Sequence, residues 1–209
     1  MNIIIFGATG GTGIKLIYQG LEAGHNVTAF CRTPSKITKL HPNLRVVQGD
    51  ALDIGSVTDA LAGQDAVFCA LGKADIRDKS QLRAKATSII VKAVNSTKVK
   101  RLICLSAFGA GESLHDMPWH YRYLIMPLVM KHLYIDHNLQ ESALEKSGLD
   151  WTIIRPAILT DGPFTGRYLH GSKLPKSARL KISRADVAGF MLTQLDSSEY
   201  LHKAPSISY

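Results

Sequence analysis

The sequence predicts an α/β fold, a single domain whose doubly wound parallel β-sheet carries helices on both faces. Short runs of branched apolar residues alternate with amphipathic segments along the chain, which favours parallel strands joined by helical crossovers. A glycine-rich stretch, "IIIFGATGGTG", contains the first of these runs and the turn after it. The 209 residues suffice for one such domain with a full core.

The first half of the chain predicts four strands and three helices, one of them short. A helix is expected from about Thr12, with Ile14, Ile17 and Leu21 on one face and Gly24 after its end. "RTPSK" supplies a turn before a short helix, and a second long helix covers Ile54–Leu61. The predicted strands are Asn2–Phe6, Asn26–Cys31, Leu44–Gln48 and Ala66–Leu71.

The second half begins with a helix over Leu82–Val94 and a fifth strand over Arg101–Leu105. A mostly helical stretch reaches Lys146, and "GLDWTIIRP" is a sixth strand that ends at its proline. Residues 180–182 lead into a last helix, "SRADVAGFMLTQL". Ser183 and Asp186 have the spacing of a capping box at its start.

The glycine turn has the spacing G-x-x-G-x-x-G, formed by Gly7, Gly10 and Gly13. Such a turn between a first strand and a first helix lets the backbone approach the pyrophosphate of a dinucleotide, and the helix N-terminus offers unpaired N–H groups. The spacing differs by one residue from the commoner G-x-G-x-x-G, and a tight turn without a ligand is the alternative.

The end of the second strand predicts which dinucleotide binds. NAD-binding proteins usually carry an acidic residue there for the adenosine 2′-hydroxyl. Here "CRTPSK" has no acid and presents Arg32, Ser35 and Lys36, which suit a 2′-phosphate. We therefore expect NADP(H), with a solvated basic turn as the alternative.

Polar residues follow other predicted strands, and the carboxyl ends of parallel strands share one edge of the sheet. Asp50 is expected near the adenine, although Asp50 or Asp53 could instead cap the next helix. Ser106 directly follows the fifth strand, beside the expected nicotinamide, with a simple turn serine as the alternative.

Acid–base and metal chemistry find little support in the sequence. No tyrosine is followed four residues later by lysine, so the phenolate base of reversible alcohol oxidation is missing. His132 and Asp136 could share a helix face, but two candidate ligands do not make a metal site, and we expect no metal. The aromatic stretch "WHYRYLIMPLVMKHLY" either walls a pocket for a flat apolar substrate or serves helix packing or dimerisation.

Charge and composition exclude other classes of protein. The formal net charge of +8 comes from scattered basic residues without a nucleic-acid-binding pattern. No apolar run is long enough to cross a bilayer and no targeting extension is visible, so we expect a cytoplasmic protein without nucleic-acid or membrane partners. Three cysteines lie in apolar runs and are expected in the core: Cys31, Cys69 and Cys104.

Seven stretches together resemble the atypical short-chain dehydrogenase/reductase family, in its NmrA-like NAD(P)H-binding group and nearest to the biliverdin-IXβ reductase/flavin reductases. They are "IIIFGATGGTG", "VTAFCRTPSK", "VVQGDALD", "GQDAVFCALG", "LICLSAFG", "SGLDWTIIRPAILTDGPFTGRY" and "ISRADVAGFML". The resemblance covers nearly the whole chain. It implies one Rossmann domain over residues 1–209, with roughly 109–135 as a helical insertion on the substrate side.

The resemblance also implies a site. The pyrophosphate would lie on the glycine turn, the 2′-phosphate on the basic turn, and Ser106 would orient the nicotinamide carboxamide or the acceptor as the one catalytic residue. The implied cofactor-binding residues are Gly7, Thr9, Gly10, Gly11, Thr12, Gly13, Arg32, Ser35, Lys36, Asp50, Ala51, Leu71, Gly72, Ser106, His137, Pro156, Ala157 and Ile158.

The implied activity is NADPH-dependent reduction of a flat conjugated small molecule, such as a flavin, quinone or bilin, with a proton from solvent. One position departs from the flavin/biliverdin reductases, which carry a histidine after the sixth strand where this chain has Ala157 and Ile158. Flavin or quinone is therefore expected ahead of bilin. The alternative is a non-catalytic NADP(H) sensor of the NmrA-like kind. The protein is expected to be a monomer or homodimer.

Overall fold

The computed structural model describes residues 1–72 and 78–209 and has the predicted architecture. An eight-stranded sheet has the order β3-β2-β1-β4-β5-β6-β10-β8, and β7 pairs with β9 in a separate two-stranded sheet. Among the described strands of the larger sheet, β8 alone pairs antiparallel, with β10. The strands are β1 (Asn2–Phe6), β2 (Asn26–Cys31), β3 (Leu44–Gln48), β4 (Ala66–Cys69), β5 (Arg101–Leu105), β6 (Asp150–Pro156), β7 (Ile158–Thr160), β8 (Leu169–Gly171), β9 (Lys181–Ser183) and β10 (Ser206–Ser208).

Helices cover both faces of the larger sheet, and the described residues form two apolar cores. Because successive side chains of a strand point to opposite faces, Ile3 and Ile5 pack in one core while Ile4 and Phe6 pack in the other. Within the part of the chain described, no helix is long and apolar enough to cross a membrane. The helices are α1 (Gly11–Glu22), α2 (Ile54–Leu61), α3 (Leu82–Asn95), α4 (Met126–Leu128), α5 (Lys131–Glu145) and α6 (Arg184–Thr193).

Most predicted elements have an observed counterpart, but the short strands β7, β8 and β10 were not predicted. The fourth strand ends at Cys69, and the turn after β2 forms only a 3-10 helix over Pro34–Lys36. Ser183 caps α6 by accepting from the N–H of Asp186, as its spacing predicts. In a capping box the Asp186 carboxylate would accept from the backbone N–H of Ser183. Here it accepts from the hydroxyls of Ser183 and Tyr209 instead. The three cysteines are free and buried.

The strand order defines where a ligand can bind. The chain runs from β1 outward to β3 and then returns to the other side of β1 as β4. The order in which strands are added to the sheet therefore reverses between β1 and β4. A crevice opens at this switch point, beyond the carboxyl ends of the strands.

Candidate functional site

The glycine turn follows β1 at this crevice, and two of its glycines are required by sterics. Gly7 has a φ of +85°, and a Cβ placed on it would lie 2.4 Å from the carbonyl oxygen of Ala70. A Cβ on Gly13 would lie 2.2 Å from the carbonyl oxygen of Gly7, so Gly13 lets α1 pack closely on the turn. Gly10 is the N-cap of α1 and provides no side chain to cap the helix. The first turn of α1 thus keeps N–H groups available for an anion.

A groove with a volume of about 410 Å³ lies over the turn. It contains residues that follow β1, β2, β3 and β4, as expected for the switch point of a doubly wound sheet. The groove is lined by Gly7, Thr9, Gly10, Phe30, Cys31, Arg32, Lys36, Gly49, Asp50, Ala51, Ala70, Leu71, Gly72 and Leu82.

The far end of the groove is basic. Arg32 and Lys36 line it and are exposed, while Ser35 lies in the same 3-10 turn and is not among the lining residues. Both cations can therefore reach an anion in the groove, and the carboxylate that would repel a 2′-phosphate is missing from the end of β2.

Asp50 and Asp53 have different roles, which resolves their sequence ambiguity in part. Asp53 is the N-cap of α2 and accepts from the N–H groups of Gly55 and Ser56. Hydrogen bonds from Ser56 and Gly55 lower the pKa of Asp53. Asp50 accepts at 3.0 Å from the N–H of Leu52 and lines the groove. Asp50 is thus free of the capping role at α2 and remains the candidate for the adenine.

A buried charged cluster lies at the carboxyl ends of β5 and β6, and its residues do not line the groove. Ser106 donates its hydroxyl to Oε1 of Glu141 at 2.5 Å. Arg155 contacts both oxygens of the same carboxylate, from Nε at 3.0 Å and from Nη2 at 2.7 Å. Arg155 also contacts the exposed Glu112 at 2.8 Å. Ser106 is therefore fixed by a bidentate ion pair, and its hydroxyl proton points to Glu141.

The two carboxylates of this cluster favour the charged form of Arg155. Burial acts to lower the pKa of Arg155, but the hydrogen bonds and charges of Glu141 and Glu112 outweigh it and raise that pKa. The hydrogen bond from Arg155 lowers the pKa of Glu112. A buried pair of this kind depends on both partners, because removal of one leaves an uncompensated buried charge.

His137 lies next to Ser106, with 3.4 Å between Nδ1 and the Ser106 hydroxyl oxygen. Burial, followed by the charge of Arg83, lowers its pKa to about 3, so the imidazole is neutral at physiological pH. Tyr134 on the same helix donates to the carbonyl of Phe108, and burial raises its pKa to about 12. Neither side chain is a ready proton donor or base near neutral pH.

Asp136 lies one helical turn after His132 on α5, the shared face that the sequence suggested. It is buried and accepts from the backbone N–H groups of Arg83 and Ala84, which lie in the first turn of α3. The described residues contain no cluster of metal-ligating side chains.

The sequence interpretation did not identify Glu141 or Arg155 as site residues, and it considered Asp136 only as a candidate metal ligand. Arg155 had one visible signal, since it is a charged residue inside the apolar strand "DWTIIRP". Tyr134, His137 and Glu141 are spaced three and four residues apart, which places them on one face of a helix. A search for an acidic residue on this helix face that could pair with a buried arginine could have found Glu141 and Arg155.

The remaining predicted residues lie near β6 and β7 or in the first turn of α1. Pro156 ends β6 and Ala157 is buried, whereas Ile158 begins β7 and is 62% exposed. Gly11, Thr12 and Gly13 belong to α1, with Gly11 exposed and the other two buried. None of these residues, nor Ser106 and His137, is among those lining the groove.

The segment between β5 and α5 contains short irregular helices rather than a regular helical stretch. A 3-10 helix covers Gly111–Asp116, a π-helix covers Tyr121–Ile125, and α4 has one turn. Several of its described apolar side chains are exposed, so much of the segment's own apolar surface is not buried against the rest of the protein. They are Trp119, Tyr123, Leu124, Leu128 and Val129.

Comparisons with known proteins agree with this geometry. Residues 7–198 match a family model described as NAD(P)H-binding. The reductase pytE of Aspergillus terreus is 28% identical, over 100% of this chain and 98% of that protein. A Rossmann-fold NAD(P)-binding family protein from Shigella flexneri is 28% identical with a TM-score of 0.72, over 99% of this chain and 92% of that one. ChuY from Escherichia coli O157:H7, described as an anaerobillin reductase, has a TM-score of 0.81 at 23% identity, over 100% and 97% of the two chains, and shows likeness of fold alone.

Proposed function

The chain belongs to the NAD(P)H-binding family, within the atypical short-chain dehydrogenase/reductase-like group, and from this premise we propose that it is an NADPH-dependent reductase of a flat conjugated acceptor. Flavins and quinones are the preferred acceptors, and a bilin-like tetrapyrrole is the third. When NADPH is bound, its nicotinamide supplies the hydride. The protein binds and orients both molecules.

The observation that carries the proposal is the groove at the β1/β4 switch point. A dinucleotide diphosphate fits the first turn of α1, because Gly10 caps the helix without a side chain and leaves the N–H groups open. Arg32 and Lys36 supply two positive charges for a 2′-phosphate. This combination favours NADPH over NADH.

The charged cluster supports an acceptor that needs no protein acid. The Ser106 hydroxyl is already donated to Glu141, the neutral His137 is buried, and burial raises the pKa of Tyr134. A conjugated acceptor delocalises the negative charge that hydride addition creates, so water can supply the proton. Ser106 then serves as an acceptor for a carboxamide or ring N–H, with Glu141 fixing its orientation.

The segment of residues 109–135 is proposed to lie on the substrate side. Arg155 holds its start through Glu112, and Tyr134 holds the backbone at Phe108. The exposed rings of Trp119 and Tyr123 offer flat apolar surfaces for such an acceptor.

Aerobic oxidation of NADPH by the purified protein, with FMN, riboflavin, a quinone or a bilin added singly, tests the proposal. We expect acceptor-dependent oxidation that is faster with NADPH than with NADH. Ser106→Ala should lower turnover while leaving NADPH affinity nearly unchanged. Tight binding of NADPH without turnover of any acceptor, bilins included, would reject the reductase.

A non-catalytic NADP(H) sensor is the second candidate. The exposed apolar side chains of the 109–135 segment favour it, because such groups also mark protein-binding surfaces. The same assay separates the two functions, since a sensor binds NADP(H) without oxidising it.

A further inference from the structure

Arg184 lies directly over the glycine turn, although it is far from that turn in the sequence. It is the first residue of α6, and its side chain extends to the start of α1. A Cβ placed on Gly11 would lie 2.6 Å from Cδ and 2.8 Å from Nε of Arg184. The guanidinium therefore lies against the backbone at the first residue of α1.

The position of this cation is electrostatically unfavourable in a protein without a ligand. Helix N-termini carry partial positive charge and favour anions. Arg184 lies at the N-terminus of α6, whose first turn contains Asp186, and beside the N-terminus of α1, whose first turn contains no acidic residue. The guanidinium and the N-terminus of α1 therefore both contribute positive potential near Gly11, which favours an anion there.

One carboxylate supplies part of this balance. Nη1 of Arg184 contacts Oδ1 of Asp161 at 2.7 Å, and Asp161 directly follows β7. The Asp161 side chain is 85% exposed, whereas that of Arg184 is 28% exposed. An ion pair with so exposed a carboxylate contributes little stability and is easily exchanged for another anion.

We propose that Arg184 is a cofactor-binding residue, whose guanidinium leaves Asp161 and binds the diphosphate of the dinucleotide over Gly11. This inference rests on the proposed function, because it assumes a dinucleotide in the groove. The diphosphate carries the anionic oxygens that an arginine binds in pairs. Arg184 acts on NADP(H) and NAD(H) alike, in contrast to Arg32, whose partner is the 2′-phosphate.

Binding of three ligands to Arg184→Gln tests the assignment. NADP⁺ and NAD⁺ contain the diphosphate, while adenosine 2′-monophosphate lacks it. We expect Arg184→Gln to weaken both dinucleotides by a similar factor, on the order of ten-fold or more, as for loss of a charge-assisted hydrogen bond. Adenosine 2′-monophosphate, measured by competition with NADPH fluorescence, should bind as it does to the wild type.

Two further variants sharpen the test. Arg45→Gln removes the same charge from an exposed position on β3, at the end of the sheet opposite the groove, and should leave all three affinities unchanged. Asp161→Asn removes the competing carboxylate and should tighten dinucleotide binding by roughly two- to five-fold, the range of exposed ion pairs.

The possible outcomes separate this inference from the proposed function. Wild-type affinity of Arg184→Gln for NADP⁺, or an equal loss for adenosine 2′-monophosphate, would overturn the role of Arg184 alone. Weaker dinucleotide binding by Asp161→Asn would contradict the proposal that Arg184 leaves Asp161 for the diphosphate. Absence of dinucleotide binding by the wild type would instead reject the proposed function.

Discussion

Arg32 is the residue on which the preference for NADPH over NADH depends most. It lines the groove at the end of β2, where an acidic residue would select NADH. We predict that Arg32→Ala weakens NADPH binding by about 1–3 kcal/mol, the usual contribution of a hydrogen bond to a charged group. NADH provides the control within the same titration, because it lacks the 2′-phosphate. Equal losses for both nucleotides would contradict the assignment of this turn.

His137 makes stability depend on pH in a defined direction. Burial lowers its pKa in the folded protein to about 3, against 6.5 for an unperturbed histidine. Between these values the unfolded chain binds a proton that the folded chain does not, so the free energy of unfolding falls as pH decreases through this window. We predict a shallower fall for His137→Gln, measured by urea unfolding between pH 7 and 4.

His132→Gln is the matched control, since it changes a histidine of the same helix that is not fully buried. It should keep the wild-type slope. An unchanged slope for His137→Gln would show that the buried imidazole is not the group responsible.

At the scale of elements, the turn between β1 and α1 is tightly constrained by sterics. Gly7 and Gly63 have similar positive φ values, +85° and +73°, but a Cβ on Gly63 meets nothing within 4 Å. Gly63→Ala should therefore cost only the backbone strain, about 1 kcal/mol. Gly7→Ala adds a collision with Ala70 and should cost clearly more in thermal unfolding, and it should also weaken NADPH binding.

Equal costs for the two alanine variants would contradict this reasoning. Such a result would mean that the turn can move away from β4 without loss, and the tight approach of Gly7 to Ala70 would then have no role in shaping the groove.

The elements also show where sequence reasoning succeeds and fails. Long elements with a clear period, such as α1 and β2, are predicted within a residue or two. Three-residue strands such as β8 and β10 are missed, because three residues are too few to show a recognisable alternation. Their pairing depends on residues that are distant in the sequence. The segment before α5 is predicted helical, and its π-helix and 3-10 turns depend on tertiary contacts such as Glu112 with Arg155.

For the whole molecule, the doubly wound fold and the groove follow from residues that are close in sequence. The glycine turn and the basic turn each contain their own signal, and the parallel sheet brings them together. The charged cluster could not be predicted in the same way. Ser106 follows β5, Glu141 lies on α5 and Arg155 lies on β6. These parts of the chain are distant in sequence and meet only in the folded structure.

Titration of the purified protein with NADPH and NADH tests the central claim that a phosphorylated dinucleotide binds across the β1/β4 crevice. Tryptophan fluorescence and melting temperature are recorded at each concentration. A ligand that binds only the folded state raises the melting temperature, and we predict a saturable rise with NADPH at lower concentration than with NADH. If NADPH changes neither signal at millimolar concentration, the groove does not hold this cofactor and the proposed reductase is wrong.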